Sequence, residues 1–233
     1  MKIQAIKTRI FKPKEKLLPF ITSRLPSIKE KTILVVTSKI VALAEGRLVK
    51  KIDENTKLEI IKRESDFVLP TKYVYLTIKD GQIMANAGVD ESNANGQIIM
   101  LPKDSFKTTR LIRNYFKKKY KLKNFGVIIT DSRCLPLRAG ITGMAIGYAG
   151  FKGLKDYRRR LDIFGRPFKY SRVDIADSLA TAAVLCMGEG DEKQPIAIIT
   201  SAPVEYSNRI NKNELKINIK EDMYGPIFKI LRK

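Results

Sequence analysis

Thr32-Ile33-Leu34-Val35-Val36-Thr37-Ser38 is a short apolar run that stops at two hydroxyl residues. Lys39 to Ala44 continues it as a helical stretch, and Glu45-Gly46-Arg47 closes the unit. A buried strand that feeds a helix through Thr37-Ser38 is a common place to hold an anion at the helix N-terminus. Strands and helices alternate outward from this point. Lys2 to Ile10 reads as a first strand, and Tyr73 to Lys79 as another. Asp80-Gly81 is a hairpin turn, and Gln82 to Ala85 returns from it. Ile98 to Leu101 is a short strand, residues 105–120 form a basic amphipathic helix, and Phe125 to Thr130 is a fully apolar strand ending at Asp131. Gly140 to Gly150 carries four glycines among small apolar residues, which suggests closely approaching backbone in a sheet. Asp174 to Met187 has the clearest helical spacing, Gly188 stops it, and Ile196 to Thr200 is a last strand. The pattern implies an α/β or α+β fold, without a linker tract or internal repeat.

The chain has 233 residues, of which 44% are apolar and 30% charged, so one large domain or two small ones are expected. No apolar run approaches the ~18 residues of a membrane span. Met1-Lys2-Ile3-Gln4 opens no apolar signal segment, so a cytoplasmic protein with no membrane partner is expected. Cys134 and Cys186 fit no CxxC pattern and read as free thiols. Lys and Arg total 45 against 24 acidic residues, a net charge of +21 that favours anionic partners. Lys117-Lys118-Lys119 reads as a solvated helix end, and no RRM, KH or zinc-finger signature supports a nucleic-acid partner. The absence of histidine excludes a Ser-His-Asp triad and His-ligated zinc. No GxxxxGK followed by Ser or Thr occurs, so this is not a P-loop protein.

Three segments look out of place as connectors. Asn86 to Asn93 is a polar turn after a hairpin strand, Asp131-Ser132 ends an apolar strand, and Gly188-Glu189-Gly190-Asp191 follows a buried helix. A partly desolvated carboxylate needs a cation or hydrogen-bond donors. Asp, Glu and Ser oxygens are hard ligands that suit Mg²⁺ or Mn²⁺ rather than zinc. Plainer readings stand beside this one: an Asx-turn for Asp90 with Asn93, a helix C-cap for Gly188 to Gly190, and an N-cap for Asp131. The residues alone indicate a metal-dependent, phosphate-handling α/β protein.

At these same loops the sequence resembles the coenzyme F-420-0:L-glutamate ligase family. The matching stretches are Leu43 to Arg47, Asn86 to Asn93 (NAGVDESN), Val127 to Ser132, Arg138 to Gly150, Lys155-Asp156, Asp162, Gly165-Arg166 and Met187 to Gly190. The resemblance implies a single domain over residues 1–233, with two interleaved subdomains in an intertwined homodimer. It implies a GTP-dependent ligase that joins L-glutamate to an acceptor carboxylate through an acyl phosphate, with two divalent cations at the nucleotide and K⁺ as a further candidate ion. By motif match Asp90 and Asp131 would hold one metal, and Ser132 and Glu189 the other. Asp90, Asp131 and Glu189 form the expected catalytic set. Ser38, Lys39, Asn93, Met187, Gly188, Gly190 and Asp191 would contact the nucleotide. Arg138, Arg158 and Arg166 are clamp candidates for glutamate or an anionic acceptor, either a deazaflavin or a folate, with a surface role as the alternative. A nucleic-acid binder that kept the fold and lost the chemistry is the competing class.

The sequence departs from the family at three places. The family's Ser-Lys-Ala-Glu-Gly-Arg reads Ala42 to Arg47 here, with Leu43 at the nucleotide-binding lysine. The family's N-terminal Gly-Leu-Pro is Arg9 to Pro13 here, and the stretch between Arg47 and Tyr73 is shorter. Lys39 lies four residues before Leu43, one helical turn away, so its ammonium is the candidate replacement cation; pointing to water is the alternative.

Overall fold

The computed structural model describes residues 1–50 and 53–230. In chain order the elements begin with β1 (Lys2–Ile6), α1 (Leu17–Arg24), β2 (Thr32–Thr37), α2 (Ser38–Ala44) and β3 (Leu48–Lys50). Next come α3 (Glu54–Arg63), β4 (Phe67–Pro70), β5 (Tyr75–Lys79), β6 (Gln82–Ala85), a 3₁₀ turn (Asn86–Gly88) and β7 (Gln97–Ile99). After them follow α4 (Ser105–Tyr120), β8 (Phe125–Cys134), β9 (Ile141–Ala149), β10 (Leu154–Asp156) and β11 (Arg172–Asp174). The chain ends through α5 (Ile175–Met187), β12 (Ile196–Thr200) and α6 (Gly225–Ile230).

Side chains alternate along β2, and that alternation makes two cores. Leu34 and Val36 join Phe125, Val127 and Ile129 of β8 under α1, α2 and α4, where Phe20, Ile21, Ile112 and Phe116 are buried. Ile33 and Val35 face the other way and meet Ala176, Leu179, Ala180 and Ala183 of α5. The result is a five-stranded sheet in the order β1-β12-β2-β8-β9 with helices on both faces. Only β2 and β8 are parallel within it. Their last rung is Thr37 with Thr130, so Ser38 and Asp131 emerge side by side. Ligands in open α/β sheets sit beyond this carboxyl end of parallel strands.

The glycines of residues 140–150 let both helices close on β9. A Cβ at Gly143 would lie 2.6 Å from the Ala180 carbonyl oxygen, and one at Gly147 would lie 2.6 Å from the Ser105 carbonyl carbon. Between α2 and α4 the chain builds a third cluster from Ile60, Ile61, Ala87, Val89, Ile98 and Met100, with β3 on β7 and a β4-β5-β6 meander beside it. Ala42, Ala94 and Ile99 pack together and hold the 90–94 loop against α2.

The mixed α/β class is as expected, and several boundaries move. The first strand ends at Ile6 rather than Ile10, because its pairing with β12 stops at Ile196, after which Pro195 has no N–H to give. Asp131 is not an N-cap: β8 runs on, paired with β9, to Cys134. Pro19 disguises α1, although it lies in the first turn, where a missing N–H is harmless. Both cysteines are free and exposed. Among the described residues no helix is long and apolar enough to cross a membrane.

Candidate functional site

Ser38 opens α2 one residue after the last parallel rung, and its hydroxyl donates to Asp131 Oδ1 at 3.1 Å. The helix start that the sequence marks for an anion therefore faces the protein's own carboxylate. Burial pushes the Asp131 carboxyl up to about 6; the Ser38 hydroxyl opposes this, and the charges of Asp90 and Glu189 add to it. That mutual repulsion means the three acids share one neighbourhood. Next along β8, the Ser132 hydroxyl donates to Glu189 Oε1 at 2.6 Å, which ties the strand end to the loop after α5.

The third loop joins through Lys39 and Asn93. The Lys39 ammonium lies 2.6 Å from Asp90 Oδ2 and donates to the carbonyl and hydroxyl oxygens of Ser92, each at 2.9 Å. Asp90 also accepts from the Ser92 N–H and hydroxyl, each at 2.8 Å, so an Asx-turn forms with Ser92 rather than Asn93 and is part of the site. Burial works to raise the Asp90 carboxyl, but Lys39 and Ser92 outweigh it and hold the group below its ordinary value. Asn93 Nδ2 donates to the Gly190 carbonyl at 3.2 Å and links this loop to the 188–191 loop. Lys39 does not point to water, because Asp90 and Ser92 engage it. Leu43, at the position where the resemblance leads one to expect a lysine, packs half-buried against the Ala42, Ala94 and Ile99 cluster.

Glu192, in the loop that follows α5, also belongs to the site. Its carboxylate accepts the Gly190 N–H at 2.8 Å and folds over Gly188, where a Cβ would lie 2.3 Å from the Glu192 carboxyl carbon. Gly188 also has φ +79°, so it caps α5 and admits this carboxylate. A glutamate two residues past the second glycine was the available signal. Met187 is buried in the α5 core, and only its carbonyl reaches the loop, accepting from Gln194 Nε2 at 3.3 Å. Asp191 is exposed.

The arginine candidates do not gather here. Arg138 lies at the exposed turn between β8 and β9. Arg158 is paired with Asp156 at 2.6 Å and draws that carboxyl down to about 2. Arg166 stands 3.9 Å from Asp162 and is largely exposed. Arg158 and Arg166 lie between β10 and β11, and that pair is rooted at the start of α5, the opposite end from Gly188.

The donor set is oxygen only: Asp90, Asp131 and Glu189 carboxylates with Ser38 and Ser132 hydroxyls. Among the described residues no three His, Cys, Asp or Glu side chains form a metal cage on their own. Magnesium seldom needs one, since it binds through one or two carboxylates and keeps waters or substrate phosphates for the rest. The raised Asp131 carboxyl is what a cation would relieve, so these residues fit a hard divalent ion.

The model of the F420-0:gamma-glutamyl ligase family matches residues 5–201. The protein named coenzyme F420:L-glutamate ligase in Methanococcus maripaludis strain C7 is 35% identical over 215 residues, 84% of this chain and 86% of that protein. Proteins of the same name are 35% identical over 190 residues in Methanopyrus kandleri (73% of this chain, 75% of that protein) and 34% over 199 residues in Methanocaldococcus jannaschii (78% and 80%). On the extent of these matches, the chain belongs to the F420-0:gamma-glutamyl ligase family.

Proposed function

We propose that this chain is a GTP-dependent ligase that joins the amine of L-glutamate to the terminal carboxylate of an anionic acceptor of the coenzyme F420-0 type. One observation carries the reading: three acidic loops, far apart in sequence, meet at the carboxyl end of the β2–β8 pair, where Ser38, Ser132 and Asn93 stitch them together. The names of the relatives supply the chemical direction.

A carboxylate cannot expel oxide, so amide synthesis converts it first to an acyl phosphate. The acceptor carboxylate attacks the terminal phosphorus of GTP and GDP leaves; the glutamate amine then attacks the acyl carbon, and inorganic phosphate leaves. Such chemistry asks the protein for positioning and charge neutralisation, which needs no histidine. Asp90, Asp131, Ser132 and Glu189 would hold Mg²⁺ or Mn²⁺, and bound divalent ions would neutralise charge on the nucleotide phosphates. Lys39 keeps the 90–93 loop against α2, and Asn93 and Glu192 fix the 188–191 loop that would border the nucleotide. A homodimer is part of the reading, supported by Ile163, Phe164 and Tyr170, exposed at 91%, 75% and 86% between β10 and β11.

GTP titration with Mg²⁺ and with chelator tests the nucleotide step. The expected result is binding that requires the metal. Equal affinity in chelator, or equal binding of any polyanion with steep salt dependence, would replace the ligase by a merely basic surface.

A further inference from the structure

The net charge of +21 is unevenly placed, and its densest part has no role in the ligase reading. Residues 105–130 hold eight basic residues and no acidic one, six of them on α4. Lys107, Arg110, Asn114 and Lys118 recur at helical spacing and are all exposed, so they form one row facing solvent. At 1.5 Å per residue the row is about 16 Å long, the axial length of about five nucleotides in one strand of a duplex. The helix dipole accounts for Lys117 to Lys119 at the C-terminal end, where cations are favoured. It works against Lys107, which stands in a first turn that holds no acidic residue.

The C-terminal segment lays a second row beside the first. Asn208 Oδ1 accepts from Arg113 Nη2 at 2.8 Å and from Lys117 Nζ at 3.3 Å, which seats the segment on the second half of α4. Further along, Lys212 lines the same cleft as Lys103 and Phe106, at the start of the helix. Residues 206–213 therefore run back along α4, with Arg209 and Lys212 exposed and no acidic residue among them. Glu214 then pins the segment, accepting from the Tyr148 hydroxyl and the Gly153 N–H, both at 2.7 Å. All of it lies beyond residues 5–201, the stretch that the family match covers.

The acids that border this face are already engaged. Glu30 accepts the Lys123 and Asn124 N–H groups, and Asp104 accepts that of Lys107. Glu45 accepts from the Lys103 N–H and the Thr108 hydroxyl, and Glu205 pairs with Lys152 at 2.6 Å. Lys107, Arg110, Lys118, Arg209 and Lys212 make no ion pair among the described residues. Leu111 is the only aliphatic side chain of α4 left exposed, since Ile112 is buried. The face thus has no apolar stripe to enter a bilayer and no apolar centre to seal a protein interface. Arg113 Nε donates to the Phe125 carbonyl at 2.8 Å, so the most cationic end of α4 stands at the start of β8, the far end from Asp131.

We propose that α4 and residues 206–213 form a docking surface for the phosphodiester backbone of a nucleic acid, separate from the nucleotide site. The two rows of cations neutralise successive phosphates and read no bases, so the surface needs no dedicated recognition module.

The test is fluorescence anisotropy of a labelled RNA of about 20 nucleotides, as single strand and as duplex, titrated with the full chain in chelator between about 50 and 200 mM KCl. Lys107→Gln, Arg110→Gln, Lys118→Gln alters exposed side chains only. This triple variant should bind at least about tenfold more weakly, with the slope of log affinity against log salt reduced by about 2–3, while GTP affinity with Mg²⁺ stays within about twofold. Arg209→Gln with Lys212→Gln should reduce the slope by about 1–2. Lys2→Gln, Lys62→Gln, Lys72→Gln removes equal charge from exposed sites on β1, α3 and the turn between β4 and β5, and should leave the slope as it was. An equal loss in that control overturns the surface and leaves only net charge. So does a wild-type slope retained in either of the first two variants. Displacement of the RNA by stoichiometric GTP with Mg²⁺ also overturns it, by placing the strand in the nucleotide site. Equal affinity for polyglutamate, or tighter binding to vesicles of anionic lipid, overturns it in favour of an acidic protein or a membrane.

Discussion

Asp131→Asn separates the cost of the site from its use. The Asp131 carboxyl rises from an ordinary 3.8 to about 6 in the fold, chiefly because burial disfavours its charge. At about 1.4 kcal/mol per tenfold change, that rise corresponds to ~3 kcal/mol. A carboxyl raised by folding gives stability that is full below the unfolded value of 3.8 and is lost as pH climbs through about 6. Between about pH 5 and pH 7.5 the loss is ~1.4 kcal/mol. Asparagine keeps the shape, carries no charge and escapes this loss. In chelator, the melting temperature of the variant should therefore gain on that of the wild type by ~3–6 °C across that interval, at 2–4 °C per kcal/mol for a chain of this size. Asp174, also raised to about 6 by burial and by Asp177, titrates in both proteins and drops out of the comparison. Adding Mg²⁺ or Mn²⁺ at neutral pH should raise the wild type and leave the variant where it was. Parallel pH curves for the two proteins would refute the claim that an uncompensated carboxylate sits at the end of β8.

Three further substitutions probe the frame around that acid. Lys39→Met removes the cation 2.6 Å from Asp90; amide exchange in residues 90–93 should quicken, and GTP should bind several-fold more weakly. Gly143→Ala places a methyl group 2.6 Å from the Ala180 carbonyl oxygen, and urea unfolding should show a loss of ~1–3 kcal/mol. Glu192→Gln keeps the size but weakens the carboxylate's hold on the Gly190 N–H; the GTP dissociation constant should rise while the melting temperature moves by less than ~2 °C.

The elements that make the main core were legible because their chemistry is local. Continuous apolar runs at Thr32 to Thr37 and Phe125 to Thr130 can only be buried strands, and the 174–187 spacing can only be a helix with one buried face. The three acidic loops were legible for a related reason: carboxylates after buried elements need a partner. What stayed hidden depends on distant contacts. Asp131 lies within β8 because β9 pairs past it, which nothing in residues 125–131 announces. Lys39 is engaged by a loop more than fifty positions away. Arg158 offered the same basic signal as a ligand clamp, yet Asp156, two residues before it, already holds its guanidinium. A cavity beside β9 is walled by six separate stretches of chain, so no local pattern could reveal it.

The most direct measurement is the mass of the product after incubation with GTP, Mg²⁺, L-glutamate and the deazaflavin acceptor. Glutamate ligation at this site predicts a gain of one or more glutamate residues, one inorganic phosphate released for each, and loss of both on Asp131→Asn. An unmodified acceptor with GTP consumed, or a product formed undiminished by Asp131→Asn, would contradict it.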